Sequence, residues 1–204
     1  MIAPRTFPYI IVPLILACLT LAFSLYWRWI ISISLIFFLL SLVFLIFFRD
    51  PPRHIQEGIV SPADGTIIDM NVLNDPDIGP VQKISFFMNL WNVHINRFPL
   101  DGTIVKMHHL PGGHRPAFTQ ESLHNEQLLY IMDTPQGKIK IIQIAGTFAR
   151  RIVPYVTVGQ KVIKGEKIGI VRFGSRVDLY LHRGIPLQVT MGERFHAGES
   201  LQSL

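Results

Sequence analysis

The stretch RFGSRVDLYLH, Arg172–His182, reads as a strand with a break in it. Val171, Phe173, Val177, Leu179 and Leu181 are apolar and mostly alternate with other residues, the period of a half-buried strand. Gly174 and Ser175 interrupt that alternation. Glycine weakens a strand and ordinarily marks a bulge or a close approach of another backbone, so a bulge is the plain structural reading of the pair. Working outward, the same period recurs. GTIIDMNVL (65–73), VQKISFFMN (81–89), GTIVKMHHL (102–110), QLLYIMDT (127–134), GKIKIIQIAG (137–146) and KIGIVRF (167–173) are short runs separated by Gly, Pro, Asn and Asp. No long helical period follows residue 50. Residues 51–204 are therefore expected to form a mainly β domain, a barrel or a sandwich. Within it PADGTIIDM (62–70) echoes PLDGTIVKM (99–107), a turn followed by a strand, as repeated hairpins would give.

Residues 1–50 differ in kind. FPYIIVPLILACLTLAFSLY (7–26) and WIISISLIFFLLSLVFLIFF (29–48) carry no charge, and each has about the twenty residues that a bilayer core requires. Only Trp27 and Arg28 separate them, which predicts a tight transmembrane helical hairpin. A cleaved signal peptide has a shorter apolar region and no second span directly behind it. Tyr26, Trp27 and Trp29 would sit at one interface. Arg5 precedes the first span, Arg49 and Arg53 follow the second, and Arg28 alone lies in the turn. The positive-inside rule then places both ends and the β domain at the cytoplasmic side of the cell (inner) membrane. RDPPRHIQEG (49–58) reads as a polar linker.

The only cysteine, Cys18, lies inside the first span, which excludes an intrachain disulfide, a cysteine nucleophile and a zinc–thiolate site. The net charge of +5 suits attraction to anionic lipid. No basic patch interleaved with aromatics points to nucleic acid. HHLPGGHRPAF (108–118) is rich in histidine but lacks a His-x-x-x-His or carboxylate-paired pattern, so it reads as a polar loop near the lipid surface and no metal is expected. VTVGQKVIKGEKIGIV (156–171) resembles the hairpin of biotinyl/lipoyl-type domains, without the lysine context of a carrier.

Three places combine reactive groups with backbone punctuation. Asp64 lies in SPADG (61–65), His94 in NVHINR (92–97), and Ser175 follows Gly174. Singly, these are a turn aspartate, a core histidine and a bulge. Together they are the set that activates a hydroxyl. The Gly-x-Ser-x-Gly elbow of α/β-hydrolases is absent. Two chemistries remain open for the hydroxyl. It could attack a bound ester or amide, which would make the chain a membrane-anchored serine hydrolase using Ser175, His94 and Asp64. It could instead attack the carbonyl of Gly174, unhindered because glycine has no Cβ. That attack turns the peptide bond into an ester, elimination cuts the chain, and hydrolysis of the resulting enamine leaves a pyruvoyl group. A third reading needs no chemistry: a non-enzymatic, biotinyl-like adaptor on a membrane tether.

The sequence from about Arg49 to Leu181 closely resembles the phosphatidylserine decarboxylases, in the short, archaetidylserine decarboxylase-like form of bacteria and archaea. The resemblance is carried by FRDPPR, VSPADGTI, NVHINRFPLDG, HNEQ, QIAGTFARRI and VGQKVIKGEKIGIVRFGSRVDLYL, together with the two apolar spans. It implies a proenzyme that self-cleaves between Gly174 and Ser175. Ser175 then becomes a covalent pyruvoyl cofactor, Asp64 and His94 drive the cleavage, and the two resulting chains stay together as a heterodimer. The implied reaction converts phosphatidylserine in the bilayer to phosphatidylethanolamine and CO2. Two positions depart from the family pattern. Trp91 stands where longer bacterial members have a second histidine, and NEQ (125–127) stands where the family often has Asn-Glu-Arg.

Overall fold

The computed structural model describes residues 1–204 except 114, 119–121, 123, 148–150, 173–174 and 203–204. It divides into two compact units, Met1–Pro52 and Arg53–Leu204.

The first unit is a pair of helices, α1 (Phe7–Phe23) and α2 (Ile30–Phe47). Both are apolar all round, so neither has one wet face and one dry face. They pack antiparallel through small residues and two hydroxyls. Ser34 Oγ donates to the Ala17 carbonyl oxygen at 2.7 Å, and Ser41 Oγ donates to that of Ile10 at 2.9 Å. Such hydroxyl bonds fix the register of the two helices against each other. The helices are shorter than the uncharged runs. α1 has 17 residues and ends at Phe23, because Ser24–Tyr26 leave the α-helix in a series of tighter turns. α2 has 18 residues with a mean hydropathy of 3.0, long and apolar enough to cross a membrane.

The second unit is mainly β. Among the described residues its strands are β1 (Gly65–Asp75), β2 (Gly79–Met88), β3 (Ile95–Arg97), β4 (Gly102–Leu110), β5 (Gln127–Thr134), β6 (Gly137–Ala145), β7 (Ile152–Pro154), β8 (Lys161–Val162), β9 (Lys167–Val171), β10 (Ser175–His182) and β11 (Arg194–Phe195). Eight form one antiparallel sheet in the order β11-β1-β2-β10-β6-β5-β4-β8, and a three-stranded sheet runs β3-β9-β7. Alternation decides what is buried. Val177, Leu179 and Leu181 of β10 have no exposed surface and join Ile84 and Phe86 of β2 and Ile139 and Ile141 of β6 in one core. Each such side chain contributes about 1.5–3 kcal/mol on burial.

The opening stretch does not form a single bulged strand. β9 ends at Val171 in the small sheet and β10 begins at Ser175 in the large one. The apolar alternation of the sequence passes from one of these strands to the other, because apolar alternation marks burial and is blind to a change of sheet. Likewise 156–171 folds as β8 and β9, which belong to different sheets.

The internal echo extends well beyond a shared turn. The order of the large sheet reads the same from both edges when β11 is equated with β8, β1 with β4, β2 with β5 and β10 with β6. β1 and β4 bulge at the same place, between Ile67 and Asp69 and between Ile104 and Lys106. The bonds beside each bulge also match. Ile67 N donates to the Glu193 oxygen and Gly192 N to the Ile67 oxygen; Ile104 N donates to the Gln160 oxygen and Gly159 N to the Ile104 oxygen. Gly65 and Gly102, which open the two strands, are both required by close approach. A Cβ there would lie 2.5 Å from the carbonyl oxygen of Phe87 or of Asp133. The second unit is thus a pair of related halves joined between β10 and β6.

Candidate active site

Ser175 stands at that join. It is the first residue of β10, it is fully buried, and it pairs with Met88 of β2 on one side and Ala145 of β6 on the other. Its side chain is on the core face, in step with Val177 and Leu179. The Arg176 and Asp178 side chains lie on the opposite face, where the guanidinium grips the carboxylate with two hydrogen bonds of 2.6 and 3.0 Å and also donates to Ser85 Oγ at 2.9 Å. Both ions are buried, so each needs the other. This clamp fixes the strand one residue beyond Ser175. Gly174 lies outside the described residues.

The core around Ser175 is polar, unlike the rest of the sheet face. Tyr130 Oη donates to Gln143 Oε1 at 2.9 Å, Gln143 Nε2 donates to Asn96 Oδ1 at 2.7 Å, and Asn96 Nδ2 donates to Met88 Sδ at 3.4 Å. The Ser175 hydroxyl points to the same sulfur at 3.9 Å. All five residues are fully buried. Burial pushes the Tyr130 phenol far up from its ordinary value, so it remains a neutral donor at the head of the chain. A neighbouring amide completes the frame: Asn125 Nδ2 donates to the Ala145 oxygen, opposite Ser175, and to the Arg115 oxygen.

His94 is fully buried, one residue before β3, and its carbonyl oxygen accepts from Val171 N at 3.2 Å. That bond holds it beside the end of β9. Its Nδ1 is 2.9 Å from the Asn92 carbonyl oxygen. A carbonyl only accepts, so Nδ1 carries the proton in the neutral ring and Nε2 carries the lone pair. The neutral imidazole therefore presents Nε2 as its acceptor nitrogen.

Asp64, also buried, closes the turn before β1. Its Oδ2 accepts from Arg53 Nη2 at 2.6 Å and from Val93 N at 3.4 Å, and its Oδ1 accepts from Ala197 N at 2.9 Å. The structure thus ties Asp64 to the backbone one residue before His94, and the His196 imidazole lies 3.5 Å from its carboxylate. The internal repeat separates the two oxygens by role. In the other half Asp101 Oδ1 accepts from Lys164 N just as Asp64 Oδ1 accepts from Ala197 N. That bond is structural in both halves. The contacts at Oδ2 with Arg53, Val93 and His196 distinguish Asp64.

Reading the sequence for reactive groups singled out Ser175, His94 and Asp64; the structure places Asn96, Gln143 and Met88 beside Ser175 and His196 beside Asp64, none of which the sequence reading named. Gln143 did leave a signal: it is the one uncharged polar side chain in KIKIIQIA, on the face that Ile139 and Ile141 bury. His108 and His109 of the histidine-rich segment lie in β4, and His109 Nε2 meets Glu126 Oε1 at 3.0 Å. Among the described residues no group of three or more His, Cys, Asp or Glu could hold a metal ion.

Comparison with known proteins bears on this arrangement. Residues 40–203 match the family described as phosphatidylserine decarboxylase. A phosphatidylserine decarboxylase proenzyme of Streptomyces coelicolor is 49% identical, over 74% of this chain and 68% of the relative. One of Thermobifida fusca is 46% identical, over 76% of this chain and 70% of the relative. A Methanosarcina mazei protein provisionally named archaetidylserine decarboxylase proenzyme is 41% identical, over 79% and 75%. None of these is named as a hydrolase or an adaptor.

Proposed function

The chain belongs to the phosphatidylserine decarboxylase family, and from that premise we propose that it is a proenzyme that cuts itself between Gly174 and Ser175 and then decarboxylates phosphatidylserine to phosphatidylethanolamine and CO2. The observation that carries the reading is the place of Ser175: fully buried, at the first position of a central strand, with its hydroxyl on the core face.

In the cleavage, His94 Nε2 takes the Ser175 hydroxyl proton and Oγ attacks the Gly174 carbonyl carbon. The bond from that carbon to the residue 175 nitrogen breaks as the nitrogen gains a proton, leaving an ester. Loss of the α-proton of residue 175 expels the Gly174 carboxylate and leaves a carbon–carbon double bond. Water then replaces the nitrogen, which departs as ammonia, and a ketone remains. Burial of Ser175 favours elimination, since water reaching the ester early would regenerate a plain serine. Asp64, held by Arg53, fixes the Val93–His94 backbone. Asn96 and Gln143 orient the Met88 sulfur against which the hydroxyl rests.

A pyruvoyl group at residue 175 fits this setting, because it is no larger than the serine it replaces and lies beside a buried polar chain of Met88, Asn96 and Gln143. When present it provides a ketone beside an amide carbonyl, an electron sink for the carbanion left as CO2 departs. The severed chains would stay together, since β10 is held by ladders to both β2 and β6. The apolar pair α1 and α2 supports a transmembrane hairpin, with the β domain at the cytoplasmic face of the cell membrane and the lipid substrate beside it. The turns at Gly159 and Gly165, both at positive φ, support a biotinyl/lipoyl-like segment used as structure rather than as a carrier.

The test is a CO2-release assay on phosphatidylserine vesicles with borohydride, which reduces a ketone. The wild-type protein should release CO2 and lose that activity on treatment, and Ser175→Ala should be inactive throughout. Activity that survives borohydride contradicts the reading.

A further inference from the structure

We propose that the end of the large sheet that bears Ser175 is itself a docking surface for an anionic bilayer, led by the Leu90–Trp91 turn. The inference rests on the reading of the substrate as a membrane lipid and says where on the β domain that membrane lies.

Strand register collects the relevant loops. Ser175 pairs with Met88 and Ala145, Gln127 follows directly from Glu126, whose oxygen accepts from Ala145 N, and Leu110 pairs with Gln127. The last residue of β2, the last of β6, the first of β5 and the last of β4 therefore share one end of the sheet with Ser175. The chain leaving β2 there makes a tight turn. Asn92 N donates to the Asn89 oxygen, Trp91 N to Asn89 Oδ1, and Asn89 N to Asn92 Oδ1. Two asparagine side chains thus lock a turn whose tip is Leu90 and Trp91, 48% and 75% exposed. It spans the interval between Met88, opposite Ser175, and His94, so it forms the rim of the site.

Phe118, 62% exposed, stacks edge-on against Phe87 at 5.7 Å on the same rim, and Leu110 is 40% exposed. Trp91 and Phe118 are the exposed Trp and Phe among the described residues of the β unit. By contrast, the hairpin tips at the opposite end, Asp75–Gly79 and Thr134–Gly137, contain neither. Holding a tryptophan and a leucine rigidly in water is unfavourable, and a lipid interface relieves it, because the indole buries its apolar body and keeps its N–H at the wet edge. Arg115 and Arg151 are exposed in the loops at this end. Guanidinium groups there match anionic headgroups. A lipid headgroup held at this rim enters the site without the lipid leaving the bilayer.

The chain's own composition supplies the test. Trp27, Trp29 and Trp91 are its three tryptophans, so Trp27→Phe/Trp29→Phe leaves Trp91 as the sole reporter in the full chain. The protein is reconstituted in phosphatidylcholine–phosphatidylglycerol vesicles, with and without brominated acyl chains. Docking predicts blue-shifted Trp91 emission that loses most of its intensity to the brominated lipid, resists aqueous acrylamide, and loses less to bromine after Arg115→Glu/Arg151→Glu. Emission that acrylamide removes and bromine leaves unchanged overturns the proposal. The same measurement on Ser175→Ala should still show bromine quenching, because the turn needs no cleavage. A wild-type chain that docks but is never cut would therefore sink the proposed function alone.

Discussion

Gln143 Nε2 donates to Asn96 Oδ1 at 2.7 Å in the middle of the core, where neither side chain has any exposed surface. A buried amide pair of this kind is tolerated only when its hydrogen bonds are satisfied. Here the pair connects the Tyr130 hydroxyl at one end to the sulfur beside Ser175 at the other. It makes Ser175 part of a continuous polar seam through an otherwise apolar core.

Breaking the seam should slow cleavage more than it harms folding. Gln143→Leu orphans the Asn96 oxygen and should lower stability by about 1–3 kcal/mol. Met88→Leu preserves volume and should cost under about 1.5 kcal/mol. Both should slow conversion to two chains by roughly tenfold, the rate equivalent of about 1.4 kcal/mol. Time courses of chain cleavage, read beside urea melts, check this. Wild-type cleavage rates in both variants would remove the seam from the account.

The two related halves provide an internal control for Asp64. Asp101→Ala removes the bond to Lys164 N and should cost about 1 kcal/mol while leaving maturation at the wild-type rate. Asp64→Ala removes the matching bond to Ala197 N together with the Arg53 contact, and should leave the chain uncut. His94→Ala should behave as Asp64→Ala does. Gel analysis of the three variants gives the answer, and equal maturation in the two aspartate variants would reduce Asp64 to a turn residue.

The clamp behind Ser175 should matter for stability in a non-additive way. Asp178→Ala leaves Arg176 buried without its carboxylate and should destabilise the β unit by about 3–5 kcal/mol, whereas Arg176→Met/Asp178→Leu should cost much less. Denaturant unfolding of the single and double variants measures the difference.

Far from the site, Lys140 lies 2.7 Å from Asp77, and Lys106 lies 3.0 Å from it. Their hydrogen bonds hold the Asp77 carboxyl below its ordinary value. Its contribution to stability is therefore complete above the unfolded carboxylate range, near pH ~3.9, and disappears as pH falls through the lowered folded value. Asp77→Asn should be less stable than wild type at neutral pH, and the gap should close in acid. A gap that stays constant down to pH ~2 would assign its cause to something other than charge.

Much of the fold could be read from the residues. The six longest strands were marked by short, partly alternating apolar runs between Gly, Pro, Asn and Asp breaks, and GTIIDM and GTIVKM gave away a repeat. The rest was hidden for definite reasons. β8 and β11 have two residues each, too few to show a period. Phe173 continued the alternation across a change of sheet. Ser24–Tyr26 are as uncharged as the helix before them, so composition overran the end of α1. At the candidate site, Asp64, His94 and Ser175 drew notice in the sequence because their residue types carry chemistry and Asp64 and Ser175 stand beside glycine. Asn96 and Gln143 did not, because an amide inside a strand is defined by what it faces, and His196 is brought to Asp64 only by the β1–β11 pairing.

The central claim is tested most directly by the intact mass of the purified full-length protein under denaturing conditions. The account predicts two chains. One comprises residues 1–174. The other comprises residues 175–204 with a pyruvoyl group at its N-terminus, and it separates from the first only on denaturation. Ser175→Ala should give a single uncut chain. A wild-type protein that is active yet has the mass of one intact chain of 204 residues would contradict the account.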